Sequence, residues 1–223
     1  MLEVCIFSLE DAFTAAHAGA QRLEICSNVS AGGLTPPTEW VFVLKQTLTI
    51  PLVAMARHRG GSFVYTDEDW VLTTKNAENL RMHGADAIVF GGLKADGTLN
   101  FDQCKKLNDN LGIPTVLHRA FDATPSPKDT LEAAIEAGFS RILTGIGSHS
   151  MDQLQALQKQ ADGRIQLIPA GGIRQGNAQR YLSIGLEQLH SSAITQKGHG
   201  VNAKEVHALI ACMANNQHLQ LSK

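Results

Sequence analysis

The chain has 223 residues, 43% hydrophobic and 18% charged, which provides apolar material for a sizeable core and excludes disorder as the default. Lys and Arg total 19 against 21 Asp and Glu, and this net charge of −2 argues against non-specific nucleic-acid binding and electrostatic docking on a membrane. No apolar run approaches the roughly 18 residues of a membrane span, and residues 1–9 carry Glu3 and no basic residue, unlike a secretory leader. A cytoplasmic globular protein is expected.

Strand-like runs alternate with helical stretches along the chain. The predicted strands are 2–7, 22–26, 51–57, 87–90, 115–119, 140–144, 165–169 and 187–190. Between them apolar residues recur at helical spacing, as in Leu9, Ala12, Phe13 and Ala16, or Val206, Leu209, Ile210 and Met213. Ser8 with Asp11, and Ser150 with Gln153, read as helix starts. Gly19, Gly84, Gly138 and Gly185 each close a helical stretch just before strands two, four, six and eight. Strands three and five are entered instead through Ile50-Pro51 and Ile113-Pro114, where a first strand residue can forgo its ladder donor. Strict alternation implies a parallel sheet. Eight units of about 28 residues each fit a TIM-type (β/α)8 barrel, an α/β fold, formed as one domain over residues 1–223. An open doubly wound sheet would normally carry a glycine-rich turn after its first strand, where this chain has Ser8-Leu9-Glu10-Asp11.

In such a barrel the chemistry gathers beyond the carboxyl ends of the strands. There the sequence places Gly32-Gly33, Arg57-His58-Arg59, His118-Arg119-Ala120-Phe121-Asp122, Gly171-Gly172 and His190-Ser191-Ser192. Arg57, Arg59 and Arg119 suit an anion, since a guanidinium grips carboxylate or phosphate with two donors; they could equally pair with Glu24, Asp122 or Asp67. Gly171, Gly172, Ser191 and Ser192 follow strands seven and eight, the usual phosphate position of the fold. His118, Asp122, Glu24 and His190 are the candidate acid–base groups. Asp122 could orient an imidazole or cap the next helix.

The four cysteines, Cys5, Cys26, Cys104 and Cys212, are too widely spaced for a disulfide framework. Cys104 and Cys212 lie on apolar helical stripes and read as small buried hydrophobes. Cys5 and Cys26 end twin segments, Leu2-Glu3-Val4-Cys5 and Leu23-Glu24-Ile25-Cys26, on adjacent strands about 4.8 Å apart. Two such thiols are either core residues or a soft site of the kind that suits Cu(I); no further pair of ligands at zinc spacing accompanies them.

Several strings together resemble the copper homeostasis protein CutC family: Leu23-Glu24-Ile25-Cys26, Gly32-Gly33-Leu34-Thr35-Pro36, Arg59-Gly60-Gly61-Ser62-Phe63-Val64-Tyr65, His118-Arg119-Ala120-Phe121-Asp122, Arg141-Ile142-Leu143-Thr144 and Glu187-Gln188-Leu189-His190-Ser191-Ser192. The resemblance spans residues 2 to about 193. It implies a cytosolic barrel, usually a homo-oligomer, associated with copper tolerance, and a copper ion as partner bound as Cu(I) at Cys5 and Cys26. The chain departs from the family pattern in having His58 where proline is usual, Thr144-Gly145-Ile146-Gly147 in place of a Thr-Ser-Gly run, and a short segment, 194–202, before the last helix. Two functions follow: Cu(I) buffering or trafficking, or a barrel enzyme acting on a small anionic or phosphorylated metabolite.

Overall fold

The computed structural model describes residues 1–221, with side chains through Asn216. Eight strands, β1 (Leu2–Ile6), β2 (Arg22–Ile25), β3 (Leu52–Met55), β4 (Ala87–Phe90), β5 (Thr115–Leu117), β6 (Arg141–Gly145), β7 (Gln166–Ala170) and β8 (Leu189–Ser191), alternate with eight helices. The helices are α1 (Leu9–His17), α2 (Thr38–Thr47), α3 (Asp67–Met82), α4 (Phe101–Leu111), α5 (Pro127–Glu136), α6 (Met151–Ala161), α7 (Gln175–Leu182) and α8 (Ala203–Leu221). All strand pairs are parallel, β1 to β7 joining in chain order and β8 returning to pair with β1. This is the expected TIM barrel, nearly closed: β7 and β8 lie side by side, but no ladder joins them among the described residues.

Side-chain alternation divides the core in two. Outward residues such as Val4, Leu23, Ile25, Leu52, Ile88, Ile142 and Leu167 pack beneath the helices. Inward residues, among them Cys5, Cys26, Val53, Met55, Val89, Leu143 and Ile168, fill the barrel itself. Both faces are buried, so the strands read as near-continuous apolar runs rather than alternating ones. Removing a fully buried side chain such as Leu23 would cost about 2–5 kcal/mol.

The punctuation works as its chemistry requires. Ser8 accepts from the Asp11 amide, Ser150 and Gln153 form a reciprocal capping box, and Gly19, Gly84, Gly138 and Gly185 all have positive φ. β1, β2, β3 and β5 stop short of the expected carboxyl ends. β3 stops at Met55 rather than Arg57, and β5 at Leu117, because the His118 side chain accepts from the Ala120 amide and opens a 3-10 turn over Arg119–Ala123. β6, β7 and β8 each begin and end a residue or two later than expected. Cys104 is buried as expected, whereas Cys212 is part-exposed, its place on α8 leaving one side uncovered.

Candidate functional site

At the amino end of the barrel interior, where apolar filling would be the norm, the sequence supplies charge. Glu3 on β1 receives Arg22 Nε at 2.5 Å and His190 Nδ1 at 2.7 Å, with Arg141 Nη1 3.7 Å away. All four are buried. Burial alone would raise the Glu3 pKa, but the His190 hydrogen bond and the neighbouring cations hold it at about 2. His190 reaches onward to Glu24, Nε2 to Oε2 at 3.4 Å. Burial works against its charge, and the Glu24 and Glu3 carboxylates outweigh that to keep it an imidazolium. Glu24 itself is shifted upward, chiefly by burial, and its Oε1 has no hydrogen-bond partner.

Cys5 and Cys26 sit on this charged floor. Cys5 lies opposite Glu24 in the β1–β2 register, and Cys26 is the next inward position on β2. Their Sγ atoms are 3.7 Å apart, well beyond a disulfide bond, and Cys26 Sγ lies 3.6 Å from Glu24 Oε2. One ligand atom from each of Cys5, Glu24 and Cys26 falls within 4.8 Å of the others. The hydrogen bond to Cys26 and then burial raise the Cys5 thiol well above its ordinary pKa. The same bond favours a thiolate at Cys26, yet burial and Glu24 outweigh it and lift that thiol to about 11.

Above the sulfurs opens a cavity of about 500 Å³ whose walls include Cys5, Glu24, Arg57, His118, Arg119, Asp122, Gly171, Gly172, His190 and Ser192. Of the residues expected to meet there, Arg59 and Ser191 turn elsewhere. Arg59 pairs with Asp69 through Nε and Nη2, at 2.9 and 2.7 Å, instead of with Asp67. The Ser191 hydroxyl is buried and donates to the Ile173 carbonyl. Arg119 pairs with Asp122, Nε to Oδ2 at 3.0 Å. Asp122 also accepts from the Thr144 hydroxyl and the Gly145 amide, and the imidazole beside it is His149, at 3.5 Å, rather than His118.

Arg57 is buried and finds no carboxylate. Nη1 donates to the carbonyls of Ala31 and Gly33 and Nη2 to that of Gly61, while Nε has no partner. His118 is buried close by. Its Nδ1 accepts from the Ala120 amide at 3.2 Å, which leaves the proton of the neutral ring on Nε2, a nitrogen without a partner. Burial, then the charge of Arg57, pushes this imidazole down to about 3. Phe63 packs on both, 4.8 Å from Arg57 Cζ and 4.7 Å from the imidazole centre. Sequence reasoning missed Phe63, Met55 and the Glu3 network. A loop phenylalanine and an inward strand methionine carry no signal of their own. Glu3, by contrast, stood beside Cys5 in the repeated Leu-Glu-Val/Ile-Cys segment.

Fold and site define a (β/α)8 barrel with a pocket of mixed polar and apolar lining beyond the carboxyl ends of its strands, with the Cys5 thiol on its wall and Cys26 behind it. The chain belongs to the CutC family, whose model matches residues 1–195. The "Copper homeostasis protein cutC homolog" of Homo sapiens is 37% identical over 207 residues, covering 90% of this chain and 76% of that protein. A family protein CutC of Treponema denticola is 34% identical over 202 residues, 88% of this chain and 82% of that one. The crystal structure of a CutC protein from Streptococcus agalactiae matches at a TM-score of 0.81 and 29% identity, covering 86% of this chain and 98% of that chain. No helix of the described residues is long and apolar enough to cross a membrane.

Proposed function

We propose that the chain binds Cu(I) through Cys5 and Cys26 and serves copper homeostasis as a cytosolic buffer or carrier. The observation that supports this most is the 3.7 Å separation of the two inward sulfurs. It lies within twice a metal–thiolate bond of about 2.3 Å, taking the zinc value as a guide. Two soft donors suit a soft monovalent ion, and Glu24 stands beside them with a carboxyl oxygen within reach. The name of the human relative agrees with the role. Because both thiols must lose their protons, loading should release protons and weaken as pH falls. The test is anaerobic Cu(I) competition against a chromophoric chelator. Cys5→Ser and Cys26→Ser should each weaken binding by at least about 100-fold, as loss of one of two covalent donors implies; full affinity in both variants would reject the pair as the site.

A second reading, a barrel that takes a small anionic metabolite, has its own support. The cavity of about 500 Å³ is far larger than one ion needs, and Arg57 is a buried cation without a carboxylate.

A further inference from the structure

Two buried donors without partners belong to residues that line one cavity: Arg57 Nε and His118 Nε2. A buried polar atom left unpaired costs about 1–3 kcal/mol, so two donors in one place identify where a ligand with acceptor oxygens would repay its own desolvation. The nature of that ligand follows from the charges. Of the buried arginines among the described residues, Arg22 and Arg141 face Glu3, while Arg57 meets only carbonyl oxygens. Arg119, across the cavity, is already balanced by Asp122 through Nε, and its Nη atoms are left to reach a ligand. The rim therefore has one positive charge to neutralise. That matches a monoanion better than a phosphate dianion.

At the position a phosphate usually takes in this fold, the chain itself engages the side-chain hydroxyls and the helix amide that would hold one. Arg174 holds the Ser191 and Ser192 hydroxyls at 3.0 and 3.2 Å, and the first amide of α7, that of Gln175, donates to the Glu205 carboxylate. His118 adds the second requirement. A neutral imidazole with its proton fixed on Nε2 donates a hydrogen bond without adding charge, which suits a carbonyl or hydroxyl oxygen. Phe7, Met55 and Leu143 add an apolar stretch to the wall.

Resting on the reading of the barrel as a site for a small anion, we propose that the ligand is an oxo- or hydroxy-carboxylic acid. Its carboxylate lies on Arg57 and Arg119, its oxo or hydroxyl oxygen accepts from His118 Nε2–H, and its carbon chain meets the apolar wall. Phe63, packed on both Arg57 and His118, covers these groups and must shift as the acid enters.

Calorimetric titration of the metal-free protein, with chelator present, tests this apart from the copper site. The probes are 2-oxoisovalerate, 2-hydroxyisovalerate, isovalerate, which lacks the second oxygen, and glycerol 3-phosphate. The first two should bind saturably and more tightly than isovalerate. Arg57→Met and Arg119→Ala should each weaken them by at least about tenfold, as expected for loss of a charge-assisted contact. His118→Ala should abolish the preference over isovalerate, a readout that a merely structural role would leave unchanged. Arg119 is half-exposed, so its variant keeps the test valid should Arg57→Met fail to fold. Binding of glycerol 3-phosphate alone would overturn the carboxylic-acid class while sparing an anion site. No binding by any probe, or wild-type binding in Arg119→Ala, would overturn both.

Discussion

His118 shows how a single residue is set by its surroundings. In the unfolded chain a histidine titrates near about 6.5; in the fold, burial and then Arg57 hold it at about 3. Between those values the unfolded state binds a proton that the folded state refuses. Stability from this ring is therefore fully present above the upper value and falls as pH drops through the window. In His118→Gln that contribution to the slope is gone. The stability advantage of the wild type over the variant should shrink between neutral pH and about pH 4, followed by urea unfolding; a constant difference would mean the folded ring takes the proton. At this scale the sequence was legible where a residue's position is fixed by a strand. The twin segments put Cys5 and Cys26 on one inward face and their sulfurs are neighbours, although the register is shifted by two residues and sets Cys5 opposite Glu24 rather than Cys26. It was illegible where the strand had ended. Period-two alternation puts Arg57 and Arg59 on one face, but β3 stops at Met55, so one turns into the cavity and the other out to Asp69.

At the scale of elements, glycines shape the loops that β4 and β6 feed. Gly145 ends β6, and a Cβ there would stand 2.5 Å from Arg119 Nη2 and 2.8 Å from its Nε. A second glycine, Gly171 after β7, lies against the same guanidinium, 3.1 Å from its Nη1 to an added Cβ. The missing side chains make the seat in which Arg119 rests. Because that guanidinium is the half-exposed end of a flexible chain, Gly145→Ala should displace it at a stability cost within about 1 kcal/mol. It should nonetheless lower carboxylic-acid affinity as much as Arg119→Ala does. Gly92→Ala offers the contrast, since its Cβ would stand 2.5 Å from Trp70 Cζ2 and 3.0 Å from Tyr65 Cδ2, both in buried rings. Those rings have nowhere to go, so this variant should lose about 1–3 kcal/mol in denaturant melts. Equal losses in the two variants would remove the distinction between a seat for a mobile side chain and a packed core. The helix starts at Ser8 and Ser150 were readable from spacing alone. The capping box of Thr66 and Asp69 was not singled out, although it orders the start of α3 and also anchors Arg59 and His58. Its acidic partner is Asp, which matches the usual box less well than Glu or Gln.

At the scale of the molecule, eight alternating units were legible because every crossover needs a helix and four glycines repeat at equivalent points. The seam was not. β7 and β8 lack a ladder among the described residues, and their carboxyl ends are joined by the Ser191 hydroxyl on the Ile173 carbonyl and by Arg174, which follows Gly171-Gly172-Ile173 without any sequence signal. Its Nη1 donates to the Ile173 carbonyl at 2.6 Å and the Ser191 hydroxyl at 3.0 Å; its Nη2 donates to the Ser192 hydroxyl at 3.2 Å and the Ile194 carbonyl at 2.6 Å. Gln166 and Gln188 meet at the opposite end of the seam. Glu205 of α8, by accepting from the Gln175 amide, ties the start of α7 to the last helix. Side-chain bonds, most of them from one guanidinium, thus substitute at this end for the backbone bonds that the other strand pairs share. Arg174→Met keeps the aliphatic stem and removes all four donors. Because hydrogen bonds from a charged group contribute about 1.5–3 kcal/mol and these four share one group, the variant should lose about 2–3 kcal/mol. The loss should also be local before it is global. Amide exchange across residues 189–195 should quicken while the β3–β4 ladder keeps its protection, since the seam can open without breaking any other pair. Uniform acceleration over the whole barrel would mean instead that closure is shared by every strand and that Arg174 is one contact among many.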